Sequence, residues 1–142
     1  MKTRILFVED ERWGVIPYFK ELEKKGFECQ LAMNGDEAIK KLESNRFDLI
    51  SMDVMFPPGK MLNKNTQAIR AGLKLLWMIR EGKIKNCHPE LKVIILTAVM
   101  SPEIEREFKQ LGVSAYLKKP VEFNKVIETF CEFSNQNEKR DS

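Results

Sequence analysis

Short apolar runs alternate along this chain with segments whose apolar residues recur at helical spacing. Ile5-Leu6-Phe7-Val8 stops abruptly at Glu9-Asp10-Glu11, the pattern of a strand buried on both faces. Val15, Phe19 and Leu22 then share one helical face up to Gly26, a stop signal. Pro17 inside that stretch predicts an irregular first turn. Phe27 to Ala32 reads as a weaker second strand, and Asn34 with Glu37 three residues on is a capping-box pattern. The helix it opens carries Ala38, Ile39 and Leu42 on one side. Leu49-Ile50-Ser51-Met52 is a third strand, ending at Asp53. Leu73, Leu75, Leu76 and Ile79 make a third helix that ends near Gly82, and the polar connection after it carries His88, expected to be exposed and inert. Val93-Ile94-Ile95-Leu96 is the most apolar strand and ends at Thr97-Ala98. Ser101-Pro102 supplies a cap and a first-position proline for a helix through Ile104, Phe108 and Leu111, stopped by Gly112. Ala115-Tyr116-Leu117 leads to Lys118-Lys119-Pro120, and Phe123, Val126, Ile127 and Phe130 line a last helix.

Five strands alternating with five helices imply an α/β fold with a parallel sheet covered on both faces. The expected architecture is a doubly wound five-stranded sheet, flavodoxin-like, occupying residues 1–133. Ser134 to Ser142 is expected to be a short, frayed polar tail. One segment interrupts the rhythm. From Met55 to Ala71 the chain carries Pro57-Pro58-Gly59 and a polar run from Asn63 to Gln67, and a loop of that length is unusual in a compact domain.

Composition narrows the function classes. Net charge is +3 with acids and bases intermixed, so no basic stripe marks a nucleic acid or anionic membrane partner. The longest apolar runs are strand-sized and no signal-peptide core precedes the first strand, which predicts a cytoplasmic protein without a membrane span. Cys29, Cys87 and Cys131 are odd in number and lack metal-ligand spacing, so reduced structural thiols are expected. Trp13 and Trp77 are expected to pack, with Trp13 near the acidic residues, and most of the seven methionines to fill the core.

The chemistry collects at strand ends. Glu9 and Asp10 follow the first strand, Asp53 the third, Thr97 the fourth and Lys119 the fifth, all on the carboxyl edge where open α/β sheets bind ligands. An aspartate there serves as cation ligand, nucleophile or helix cap. With the first and third strands as neighbours, three carboxylates converge, and their repulsion is relieved by a shared hard cation with oxygen ligands, Mg²⁺ rather than zinc. Lys119 and Thr97 add a positive charge and a hydroxyl, the groups that hold a phosphoryl group in transfer. The set reads as an aspartyl phosphorylation site.

These four motifs in order, Phe7-Val8-Glu9-Asp10-Glu11, the strand ending in Asp53, Leu96-Thr97-Ala98 and Tyr116-Leu117-Lys118-Lys119-Pro120, resemble the receiver domain of two-component response regulators from about Arg4 to Phe133. The resemblance implies that Asp53 is the phosphoacceptor for a phosphohistidine on a histidine kinase or phosphotransfer protein. It implies Mg²⁺ bound by Asp10 directly, Glu9 through a water, Asp53 and the Met55 backbone carbonyl. Thr97 and Lys119 would contact the phosphoryl oxygens, and the Lys119-Pro120 bond would be cis. Thr97 and Tyr116 would form the switch that reshapes the fourth helix, fifth strand and fifth helix for a downstream protein target, as a monomer or a phosphorylation-dependent dimer. Two departures stand out: Glu9 where receivers more often carry aspartate, and a segment after Asp53 longer by about a dozen residues. Lys60, Met61, Leu62, Lys64 and Arg70 in that segment are candidates for a lid over the acidic site, a docking surface, or a solvated insertion. Two other functions fit the fold: a phosphorylation-independent binding module, and a Mg²⁺-dependent aspartyl-phosphate hydrolase. The hydrolase wants a second acid two residues after its nucleophile, where this chain has Met55.

Overall fold

Parallel pairing joins the apolar runs into one sheet. The strands are β1 (Arg4–Val8), β2 (Glu28–Ala32), β3 (Leu49–Met52), β4 (Lys92–Thr97) and β5 (Ala115–Lys118), in the spatial order β2-β1-β3-β4-β5. Five helices alternate with them: α1 (Arg12–Lys24), α2 (Gly35–Ser44), α3 (Ala71–Arg80), α4 (Pro102–Leu111) and α5 (Phe123–Asp141). This is the expected flavodoxin-like winding, seen in a computed structural model that describes residues 2–62 and 65–141, with only the backbone described for 135–141.

Alternation along each strand divides the core into two layers. Leu6, Val8, Ile50, Met52, Val93 and Ile95 face one way and pack with Leu42 of α2, Leu75, Leu76 and Ile79 of α3 and Phe108 of α4. Ile5, Phe7, Leu49, Ile94 and Leu96 face the other way, against Val15 and Leu22 of α1 and Val126, Ile127 and Phe130 of α5. Phe7 centres the second layer, its ring 5.0 Å from Phe19 and 5.3 Å from Phe130. Burying each such side chain contributes about 1.5 to 3 kcal/mol, so the strands are held by their two faces as much as by the ladder.

Local signals hold where sequence placed them. The Asn34 side chain accepts the Glu37 N–H at 2.9 Å, and the Glu37 carboxylate reaches back to the Met33 N–H at 2.7 Å, one residue beyond the cap that a standard capping box would bond. Ser101 caps α4 through the Ile104 N–H. At the start of α1 the Gly14 N–H reaches Glu11 O, a tight i to i−3 bond, and the helix then runs unbroken through Pro17. The last helix departs from expectation: its backbone stays helical to Asp141, through most of the stretch read as a frayed tail.

The long segment between β3 and α3 is anchored in the core at two points, while most of its described residues stay exposed. Phe56 and Leu62 are both buried in the α2/α3 layer of the core. Pro57 O accepts the Gly35 N–H, and the Asp36 carboxylate accepts the N–H groups of Lys60 at 3.1 Å and Met61 at 2.7 Å. Those two donors hold the Asp36 carboxyl below the usual aspartate range. Leu62, a candidate lid residue, is therefore an anchor in the core, and the segment lies against the start of α2. A 3₁₀ turn at Ala68–Arg70 leads into α3. Lys64 lies outside the described residues.

Gly35 makes this packing possible. A Cβ there would meet Pro58 O and the Leu62 side chain, whereas a Cβ at Gly14 in α1 would meet nothing within 4 Å among the described residues. Gly35→Ala is expected to destabilise the protein by about 1 to 3 kcal/mol in urea unfolding, and Gly14→Ala to stabilise it by roughly 0.5 to 1 kcal/mol. Equal effects of the two substitutions would contradict the packed segment.

Candidate functional site

Strand register decides which side chains meet. Val8 pairs with Met52, Met52 with Ile95, and Thr97 with Lys118. The residues that follow β1, β3 and β4 therefore emerge side by side. Backbone bonds extend the ladders past the strands: Asp53 N–H to Val8 O at 3.1 Å, Glu9 N–H to Ala32 O at 3.0 Å and Lys119 N–H to Thr97 O at 2.8 Å.

Asp53 stands at the centre. Its Oδ1 accepts the Thr97 hydroxyl at 2.6 Å and the Val54 N–H at 2.6 Å, with the Met55 N–H at 3.4 Å. Its Oδ2 lies 3.9 Å from Lys119 Nζ, and the same ammonium bonds Glu9 Oε2 at 3.3 Å. The Glu9 Oε1 accepts the Glu11 N–H at 3.2 Å. One lysine thus serves two carboxylates. Lys119 precedes a cis peptide bond to Pro120, as the motif implied.

That charge balance leaves Glu9 short of cation. Burial first, and then the adjacent Asp53 charge, push the Glu9 carboxyl up from its ordinary 4.5 to about 7. Lys119 and the Glu11 N–H pull it back only in part, since the ammonium is itself more than a third exposed. A buried carboxyl in this condition gains from any added cation.

Asp10 stands at the rim of the site. It is exposed, and among the described residues no group of three carboxylate, thiol or imidazole side chains stands ready to hold a metal. The expected convergence of three carboxylates is therefore two inward acids and one at the rim. A third inward carboxylate would meet two others already sharing a single lysine, so solvent is the better place for it. The donor set still suits a hard cation: Glu9, Asp10 and Asp53 offer oxygens only, and Mg²⁺ takes one or two carboxylates and keeps waters.

Trp13 is 82% exposed beside Asp10, Arg12 and Met33, so it does not pack, although it does stand by the acidic residues as expected. Met55, Met61 and Met100 are exposed as well, against the expectation of core filler. Ala98 is exposed and small, leaving the approach to Asp53 open. Tyr116 on β5 packs its ring 5.9 Å from Phe108, and its hydroxyl is buried without a hydrogen-bond partner among the described residues. Burial chiefly, with Glu105 and Asp53 charge, raises its pKa.

Sequence reading missed Gly72. Its N–H donates to Val54 O at 3.1 Å, and a Cβ would stand 2.8 Å from Asp53 O and 2.9 Å from Val54 O. A glycine at a helix start is the only signal, and nothing in the pattern ties it to Asp53.

The sequence profile of the response regulator receiver domain matches residues 5–130. The chain belongs to the response regulator receiver family. It is 27% identical over 130 residues to the polar-differentiation response regulator DivK of Brucella anthropi, covering 91% of this chain and 94% of that protein. It is 31% identical over 124 residues to hybrid signal transduction histidine kinase G of Dictyostelium discoideum, covering 85% of this chain and 3% of the kinase. Against a CheY-like receiver domain structure from Methanospirillum hungatei the TM-score is 0.75 at 27% identity, covering 99% of both chains. The chain spans half or less of the length of several curated relatives that it matches. The receiver is a signalling module of two-component phosphorelays, and among the described residues no helix is long and apolar enough to cross a membrane. The three cysteines are free.

The raised Glu9 pKa fixes the sign of a pH effect. Between 4.5 and about 7 the folded state holds a proton that the unfolded state has lost, so stability falls as pH rises through that window. In metal-free buffer the receiver is expected to be more stable at pH 5 than at pH 8, Glu9 contributing up to roughly 3 kcal/mol. Glu9→Gln removes that slope in urea titrations. A wild-type slope unchanged by the substitution contradicts the assignment.

Proposed function

We propose that Asp53 accepts a phosphoryl group from a phosphohistidine on a histidine kinase or phosphotransfer protein, and that its phosphorylation switches a protein-binding face. The observation that carries this reading is the Asp53 carboxylate held 2.6 Å from the Thr97 hydroxyl and 3.9 Å from the Lys119 ammonium. A carboxylate oxygen of Asp53 attacks phosphorus as the P–N bond to the partner's imidazole breaks, and the imidazole nitrogen keeps the electron pair. Lys119 and the Thr97 hydroxyl then turn from the carboxylate to the transferring oxygens, where negative charge collects.

Mg²⁺ bound at Asp10, Asp53 and the Met55 carbonyl, with Glu9 through a water, would neutralise charge between the carboxylates and the incoming phosphoryl group. Ala98 leaves the donor room to approach. The Val54 and Met55 N–H groups keep the Asp53 carboxylate oriented throughout.

The switch follows from what Thr97 gives up. Once its hydroxyl is drawn to a phosphoryl oxygen, β4 shifts at its end and space opens beside Tyr116, whose buried hydroxyl has no partner among the described residues to hold it in place. Movement of Tyr116 reshapes α4, β5 and α5, and the output is a shift between two populations of that face. A downstream protein target reads the shift, by contact with a monomer or with a phosphorylation-dependent dimer.

Intact-mass spectrometry after incubation with acetyl phosphate and Mg²⁺ tests this function. The expected result is a gain of one phosphoryl group that needs Mg²⁺ and is absent in Asp53→Ala. Lys119→Met is expected to slow the reaction on the order of 100-fold. Continuous release of phosphate without an adduct would favour a hydrolase, and no reaction from acetyl phosphate or a phosphorylated kinase domain would favour a phosphorylation-independent binding module.

A further inference from the structure

The long segment after β3 and the outer face of α3 together build a surface that phosphoryl transfer does not use. Trp77 and Met61 are exposed there, at 37% and 42%. Lys74 Nζ lies 4.4 Å from the centre of the Trp77 ring and Lys83 Nζ 6.0 Å from it. With Lys60 they line a hollow of about 330 Å³ that has no carboxylate in its wall among the described residues. A second hollow of about 570 Å³ shares Lys74 and Trp77 and extends toward α4, where its one acid, Glu107, is bound to Arg70 at 3.3 Å. Among the described residues none of Lys60, Lys74 and Lys83 forms an ion pair.

We propose that this face docks an acidic segment of a partner protein, with carboxylates set against Lys60, Lys74 and Lys83 and an apolar side chain seated against Trp77 and Met61. An apolar centre of tryptophan and methionine inside a charged rim is the anatomy of a protein interface. The lysines of the rim carry one sign of charge; Lys74 and Lys83 lie over the Trp77 ring and Lys60 feels the Asp36 charge, but none is in an ion pair among the described residues, so the complementary surface is acidic. Nucleic acid fits less well: three lysines around a side-chain-sized hollow do not make the long basic track that phosphates follow, and the chain's net charge is only +3. A flat anionic bilayer would leave the hollow unfilled.

The surface is also tied to Asp53 through the backbone. The segment begins with Val54 and Met55, whose N–H groups point at Asp53 Oδ1, and it returns through Gly72, which bonds Val54 O. The docking itself stands apart from phosphoryl transfer and is measured on the unphosphorylated chain.

In a Trp13→Phe background Trp77 is the sole tryptophan, because the chain has two. A synthetic peptide of glutamates and aspartates around one leucine is titrated against it at low salt, with fluorescence as the readout and far-UV circular dichroism as the check on folding. The expected result is a saturable change in Trp77 emission, weakened by salt, about tenfold weaker when Lys74→Glu and Lys83→Glu are combined, and weaker when serine replaces the peptide's leucine. Calorimetry on Trp77→Ala is expected to show the same loss. No saturable change, or an affinity untouched by the charge reversal in a folded variant, overturns the proposal. So does binding of duplex DNA or phosphatidylserine vesicles where the peptide fails to bind.

Discussion

Two carboxylates and one ammonium at the end of a buried parallel sheet set the terms for this molecule. Glu9 and Asp53 are forced together because β1 and β3 are neighbours in register, and Lys119 is delivered to both by the edge strand β5. Neither acid can retreat: Glu9 is bonded through its backbone to β2, and Asp53 through its backbone to β1. The sheet, built from side chains that bury their apolar surface on both faces, holds like charges where they would not otherwise stay. The site is consequently cation-seeking before any phosphoryl group arrives, and Thr97 and Lys119 already occupy the positions from which they would meet one.

The extra length after Asp53 is absorbed without disturbing that arrangement. Phe56 and Leu62 insert into the core, Asp36 at the start of α2 receives two N–H groups of the segment, and Gly72 closes the excursion against the backbone of Asp53 and Val54. The insertion is thus clamped at both ends. What it leaves outside is Met61 and Lys60 beside Trp77, so a length change next to the site becomes a surface on a neighbouring face. The segment that carries Lys60 and Met61 starts at the acidic pocket, with Val54 and Met55.

Most of the fold was legible because buried parallel strands announce themselves twice, as apolar runs and as abrupt polar stops. Glu9, Asp53, Thr97 and Lys119 were readable for the same reason: each sits where a strand ends, and topology brings strand ends to one edge. Glu9 and Asp10 both follow β1, yet Glu9 turns inward and Asp10 stays exposed, a difference that spacing does not encode. Trp13 was misjudged because an aromatic residue on an amphipathic helix is usually buried, yet here it lies on the outer side of α1 beside the acids. The long segment was opaque for a different reason: its anchors, Phe56, Leu62 and Asp36, have no periodicity, and their pairing is non-local. The helix beyond Ser134 was hidden by a run of polar residues without an apolar face.

A direct measurement of the central claim is a ¹³C NMR titration of the side-chain carboxyl groups, first in chelator and then with excess Mg²⁺, with Glu9 assigned by Glu9→Gln. The account predicts that without metal the Glu9 carboxyl titrates with a midpoint near 7, and that Mg²⁺ moves this midpoint sharply downward. A Glu9 midpoint at the ordinary 4.5, unmoved by Mg²⁺, would mean that the two acids do not share one lysine in a cation-poor site, and would contradict the account at its foundation.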